Sequence, residues 1–221
     1  MIIGIVAQGA SIQSGPPAPS GLSIGSFSSA GSSGLTDGIT VSSPAGLEVG
    51  DTLLAFGYGF VNSRPFDPPA GWTEEFENIA APSYTGLFKL EVTAVESSYY
   101  FTRLGAGNIW AIVLVVVKGG FSSIVSGTIG TAGTGASAIA PSIVVPSGDS
   151  LLFCIYMDEG APKTLATAPA GIPFLTVGSS SNGNIAVCGA EGFVSGSTGD
   201  KTATWSATPS SRSSMLIAIV P

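Results

Sequence analysis

The side chains best suited to chemistry are carboxylates, and they fall into two patterns. In the first, Glu74, Glu75 and Glu77 cluster behind Trp72, and Asp158 stands beside Glu159. Two carboxyl groups flanking a sugar linkage are the minimum for glycoside hydrolysis, one acting as acid and the other as base or nucleophile. Such an enzyme also needs a lined cleft, and neither group has a sequence context that builds one. The glutamates read as a solvated strand face or loop, and Asp158-Glu159 as a turn after a strand. In the second pattern, Asp51 and Asp149 each follow a glycine and precede a hydrophobic strand, in GDTLL at 50–54 and GDSLL at 148–152. An Asp placed there bonds its own backbone and closes a turn. Calcium would need several more converging oxygens.

The chain has no histidine. That removes Ser-His-Asp triads, Cys-His pairs, imidazole bases and most zinc sites. The many glycines lie in Ser/Thr tracts without the lysine that completes a phosphate-binding loop. The expectation is a protein that is not an enzyme, with no catalytic residue, no cofactor and no metal.

Aromatic side chains are the remaining candidates. Ring faces stack on sugar rings, so Trp72, Tyr84 and Tyr99, with Tyr100 beside them, are the residues that could line a carbohydrate site. The favoured reading of these side chains is core or interface packing. Trp72 closes PPAGW, whose counterpart PAGI closes on Ile172, and a Trp–Ile interchange suits a core plug. Burial separates the two roles: a glycan platform requires at least two of the three to be exposed.

Composition narrows the partners. Only 10% of the 221 residues are charged and the net charge is −7, with a pI near 4.3. Phosphate backbones are bound by releasing counterions to clustered cations, and seven scattered Lys and Arg cannot supply that surface. Nucleic acid is excluded, and an anionic membrane surface for the same reason. Cys154 and Cys188 leave two readings open, a pair of buried small hydrophobes or a cross-strand disulfide. Residues 1–10 (MIIGIVAQGA) lack a basic flank and are too short for a signal sequence. The greasiest run, 109–117, is too short to cross a bilayer as a helix and reads as a buried strand.

The elements that must position these residues have period two. Leu54, Phe56, Tyr58 and Phe60 alternate with Leu53, Ala55, Gly57 and Gly59, so large side chains take one face, and on the other either something packs closely or the sheet bends. Phe88, Leu90 and Val92 alternate with Lys89, Glu91 and Thr93. Further strands are expected at 150–157, 174–178, 185–190, 202–207 and 215–220. No window keeps a 3.6-residue apolar stripe for three turns. Residues 1–11 read as a strand that ends at the prolines of 16–19.

The strands also repeat. GDTLL returns as GDSLL, PAGW at 69–72 as PAGI at 169–172, and the Phe101-Thr102 and 112–116 pair as Trp205-Ser206 and 216–220. The organisation is therefore an N-terminal strand and Gly/Ser/Pro-rich arm (1–37), a first β repeat (38–121), a Gly/Thr/Ser-rich bridge (122–138) and a second β repeat (139–221). The expected fold is all-β, sandwich- or jelly-roll-like; the copies make either two small sandwiches or, as favoured because they abut with only a short bridge, one compact double-sheet body.

This order, a GDxLLAF turn and strand, PPAGWT, an aromatic strand and a long apolar strand, followed by a degenerate second round, resembles a duplicated β domain of tailed-phage virion structural proteins and of bacterial prophage or surface proteins. The matching pieces lie at 49–56, 68–73, 99–102 and 112–117, with echoes in the second copy. The resemblance spans 38–221 and implies a non-enzymatic component of head decoration, tail or fibre, located in the virion. Its partners would be copies of itself and other virion proteins, and the arm would be ordered only in the assembly. The alternative is a carbohydrate-binding adhesin or receptor-binding module holding host surface glycan.

Overall fold

The computed structural model describes residues 21–32, 37–59, 66–80, 83–104, 110–131, 133–180 and 183–221. The strand read at 1–11 and its proline stop lie outside these residues, as does Phe60. Every regular element among the described residues is a β-strand, as the period-two pattern requires.

The first half builds a five-stranded sheet in the order β1 (Ser23–Ser32), β8 (Trp110–Lys118), β3 (Thr52–Gly59), β6 (Ser83–Glu91), β5 (Thr73–Ala80). A three-stranded sheet covers it, in the order β2 (Gly38–Ser42), β7 (Ser98–Arg103), β4 (Phe66–Asp67). The second half repeats the arrangement. Its larger sheet runs β9 (Ser123–Ser126), β18 (Ser211–Val220), β12 (Ser150–Glu159), β15 (Gly183–Phe193), β14 (Phe174–Ser179). Its cover is β10 (Ser137–Ala140), β17 (Lys201–Trp205), β13 (Leu165–Thr167), beside a small ribbon of β11 (Val144–Val145) and β16 (Gly196–Ser197). All of these pairings are antiparallel. Even an irregularity is repeated: a bulge in β5 between Glu74 and Phe76, opposite Phe88, returns in β14 between Phe174 and Thr176, opposite Cys188.

Three cores hold this together as four layers. Leu53, Ala55, Phe88, Ile112 and Leu114 pack beneath the first cover sheet with Val41, Phe66 and Phe101. Leu152, Cys154, Ala186 and Leu216 pack beneath the second cover with Ala138, Ala203 and Trp205. The opposite faces of the two larger sheets meet each other. There Leu54, Phe56, Tyr58 and Val113 interleave with Leu151, Phe153, Ile155 and Ile217. Each half is thus a sandwich of its own and also one side of a shared core. This replaces the single double-sheet body favoured from the sequence and combines the two arrangements considered there, two sandwiches that share a core. The central strands β3 and β12 are covered on both faces, which is why both read as nearly continuous apolar runs.

Two linker readings also change. Residues 23–32, expected to be part of an arm ordered only in an assembly, form β1 and pair with β8 of their own chain. Residues 123–126, inside the expected bridge, form β9 and pair with β18. Both segments are short on bulky side chains because they are edge strands whose backbone does the work. Gly31 shows the reason. A Cβ there would collide with the Ser179 carbonyl, so β1 crosses β14 backbone against backbone.

Thr85 Oγ1 donates to Met157 Sδ at 3.0 Å near one end of the shared core. At the other end the Ile24 amide donates to Glu191 Oε1 at 2.6 Å. Strands β3 and β12 therefore run in the same direction, and the loops that lead into both lie at one end of the molecule.

Candidate ligand-binding cleft

At that end the turn at 68–71 and the loop at 92–97 flank the start of β7. The turn follows from its sequence, since adjacent prolines cannot continue the ladder beyond β4 and the chain must reverse before β5. The loop is tied down by backbone bonds: Gly50 N to Val92 O at 2.9 Å, Val92 N to Asp51 O at 2.9 Å, and Ser43 N to Ser97 O at 3.0 Å. The Ser43 hydroxyl adds a bond to the Glu96 carbonyl at 2.5 Å.

Between turn and loop lies a cleft of about 450 Å³, lined among others by Pro69, Trp72, Glu91, Glu96, Tyr99 and Tyr100. Trp72 stands edge-on to Tyr99, with centroids 5.5 Å apart at 88°, and tilted against Phe101 at 5.6 Å. The indole is half-buried, Tyr99 is 5% exposed and Tyr100 is 47% exposed. Burial is the main cause that pushes the Tyr99 phenol above its ordinary range, and the Glu96 charge acts in the same direction. The phenol is therefore neutral at physiological pH. Glu91 is already engaged by Thr52 Oγ1 at 3.1 Å and lies 3.7 Å from Lys89. Among the described residues no Lys or Arg lines the cleft.

Of the three aromatics singled out from the sequence, the structure brings together Trp72 and Tyr99 and sets Tyr84 apart. Tyr84 is fully buried at the far end of β6, edge-on to Phe66 at 5.6 Å. It is a core residue. Sequence reasoning missed Glu91 and Glu96 as members of the cleft. Period-two patterning places Glu91 on a strand face but cannot fold the 92–97 loop back toward the PPAGW turn.

The carboxylates are distributed over structural tasks. Glu74 and Glu75 are exposed on edge strand β5, with Glu75 paired to Lys89 at 3.4 Å. Charges on an edge deter pairing with another chain. Asp51 Oδ2 accepts the Glu48 amide at 2.9 Å and Lys118 Nζ at 3.0 Å, so it closes its turn and holds an ion pair. Asp149 adopts φ 59°, the left-handed turn conformation that Asp tolerates. Asp158 departs from the expectation of a turn. It lies within β12, is fully buried, and accepts from Lys163 Nζ at 2.8 Å and Asn184 Nδ2 at 3.1 Å. Burial, the largest influence, raises its carboxyl pKa against those bonds. Lys163 also donates its backbone amide to Asn184 Oδ1 at 3.0 Å, so the cluster pins the loop that follows β12. Glu159 ends the same strand.

Cys154 and Cys188 are free thiols facing one another across β12 and β15. Among the described residues no group of three or more His, Cys, Asp or Glu side chains converges as a metal site would require. Comparison with protein-family models, with curated proteins and with solved structures finds no match to this chain.

Proposed function

We propose that this chain is a non-enzymatic structural subunit of a tailed-phage virion, placed in head decoration, tail or fibre, and acting by assembly with copies of itself and with other virion proteins. The observation that carries the reading is how the chain spends its few charges. Lys89, Lys118 and Lys163 are each drawn into internal ion pairs. With only 10% of residues charged, much of the remaining surface is hydroxyl, glycine and small apolar side chains. Such a surface loses little solvation when a neighbour covers it, which suits a subunit packed on several sides. The resemblance of the repeated turn and strand motifs to virion β domains supports the same reading. Repetition in a symmetric particle multiplies weak contacts into a durable one.

Peptide mass spectrometry of gradient-purified particles tests it. The reading predicts peptides of this chain in stoichiometric, multi-copy amounts relative to the major capsid protein. Their absence from particles, with the chain present in the producing cells, contradicts it. A second reading, a carbohydrate-binding receptor module, lacks the platform of two exposed rings set out above, since Tyr84 and Tyr99 are buried and Trp72 is only partly exposed; what favours it is the open cleft that Trp72 and the exposed Tyr100 line.

A further inference from the structure

We infer that the cleft between the PPAGW turn and the 92–97 loop is a binding site for an uncharged pyranose sugar, with Trp72 as the stacking face and Glu96 and Ser98 as hydroxyl partners. The inference rests on the second reading above and is independent of placement in a virion.

The indole is larger than this position of the fold requires. The matching turn of the second half ends in Ile172, which is 4% exposed in that half's core. An aliphatic side chain is therefore enough to seal the end of this sandwich. Trp72 instead packs against Tyr99 and Phe101 at the margin of the first core and remains partly exposed at the cleft. A large ring held rigidly at a concave surface presents apolar area with little entropy left to lose on binding.

The size and lining of the cleft suit a small polar ligand. About 450 Å³ lies within the range of roughly 300–1,000 Å³ typical of small-ligand sites. Its polar members are hydroxyls (Thr93, Ser98, Tyr100) and carboxylates (Glu91, Glu96). A pyranose has one face of C–H bonds for the indole and a rim of O–H donors for carboxylate and hydroxyl acceptors. Glu91 is committed to Thr52, while the exposed Glu96 side chain stands free to accept. Among the described lining residues there is no cation; Lys89 stands 3.7 Å from Glu91 behind the wall, and the exposed Glu96 repels an anionic sugar. The ligand is a neutral hexose or N-acetylhexosamine rather than a uronic or sialic acid.

The test is titration of the full-length chain, followed by the Trp72 indole N–H resonance. The probes are methyl glucopyranoside, methyl galactopyranoside and N-acetylglucosamine, with glucuronate and tetramethylammonium as charged counterparts. The expected result is a saturable shift of that resonance by at least one neutral sugar, with Kd on the order of 1 mM, a binding free energy of about −4 kcal/mol. Glucuronate should bind at least tenfold more weakly. Glu96→Gln and Tyr100→Ala, both exposed positions that leave the core intact, should weaken the sugar at least threefold. Overturning results are no shift with any neutral sugar, equal shifts in both variants, or saturation by tetramethylammonium alone, which would mark a cation cage. Any of these leaves the particle mass spectrometry unaffected, so the two readings fail separately.

Discussion

The rings of Phe56 and Phe153 meet across the shared core with centroids 5.5 Å apart and planes tilted by 49°. One belongs to the first half and the other to the second. The contact makes the halves depend on each other, because each larger sheet would otherwise expose an apolar face to water.

That dependence has a consequence for stability. Phe56→Ala removes a nearly fully buried ring, and large-to-small changes of this kind cost about 3–5 kcal/mol. Calorimetry should show one cooperative transition in the wild type and one lowered transition in the variant. A fragment of 122–221 should aggregate or melt without cooperativity, since Leu151, Phe153, Ile155, Met157 and Ile217 lose their cover. A soluble fragment that melts cooperatively would show the halves to be independent.

The Asp158–Lys163 pair is nearly free of solvent, with side chains 0% and 11% exposed. Lys163→Met leaves a buried carboxylate without its cation and should cost about 3–5 kcal/mol. Burial raises the folded-state pKa of Asp158, so the folded chain holds that proton more tightly than the unfolded chain does. This contribution is fully present below the usual carboxylate pKa and is lost as pH rises through the raised one. Denaturant melts should therefore show wild-type stability falling, relative to Asp158→Asn, across that window. A difference that is flat with pH, or that rises, contradicts the assignment.

Thiol chemistry gives a third check. Burial pushes the Cys188 thiol up to about 12 and Cys154 higher still. The thiolate is the reactive form. Iodoacetamide at pH 8 should leave the native chain unmodified and alkylate two thiols per chain once denaturant is added. Rapid modification of the native protein would contradict the burial.

Gly31 offers a fourth, at the crossing of β1 and β14. A methyl group there meets the Ser179 carbonyl and the Ser180 amide, which are backbone and cannot rotate away. Gly31→Ala should destabilise by about 1–3 kcal/mol, the usual range for overpacking. Hydrogen exchange should quicken first in β1, and an unchanged melt would show that this crossing is looser than described.

The fold class was legible because β-strands of alternating character leave a direct trace, and Gly57 illustrates how far the trace reached. Small residues opposite Leu54, Phe56 and Tyr58 allow a close neighbour on that face or a bend in the sheet, and the structure has the neighbour: the ring of Phe66 lies against Gly57. Register was less legible. GDTLL and GDSLL align by identity, yet Leu54 enters the shared core while Leu152 lies beneath the second cover sheet. The true counterpart of Leu152 is Leu53, which lies beneath the first cover, and Gly50 (φ 96°) then matches Asp149 (φ 59°) as the left-handed turn residue. A slip of one residue exchanges the faces of a strand, and two adjacent leucines conceal it. The edge strands β1 and β9 look like linkers in sequence because backbone pairing needs no particular side chain. In the cleft, Trp72 and Tyr99 could be named from sequence, but their meeting depends on long-range pairing of β7 with β2 and β4.

The most direct test of the central proposal is immunogold electron microscopy of particles from the producing culture, with antibody raised against the recombinant chain. The account predicts regular labelling at one location, on heads, tails or fibres, repeated from particle to particle. Bare particles with label on cell envelopes would contradict it and leave surface adhesion as the function to pursue.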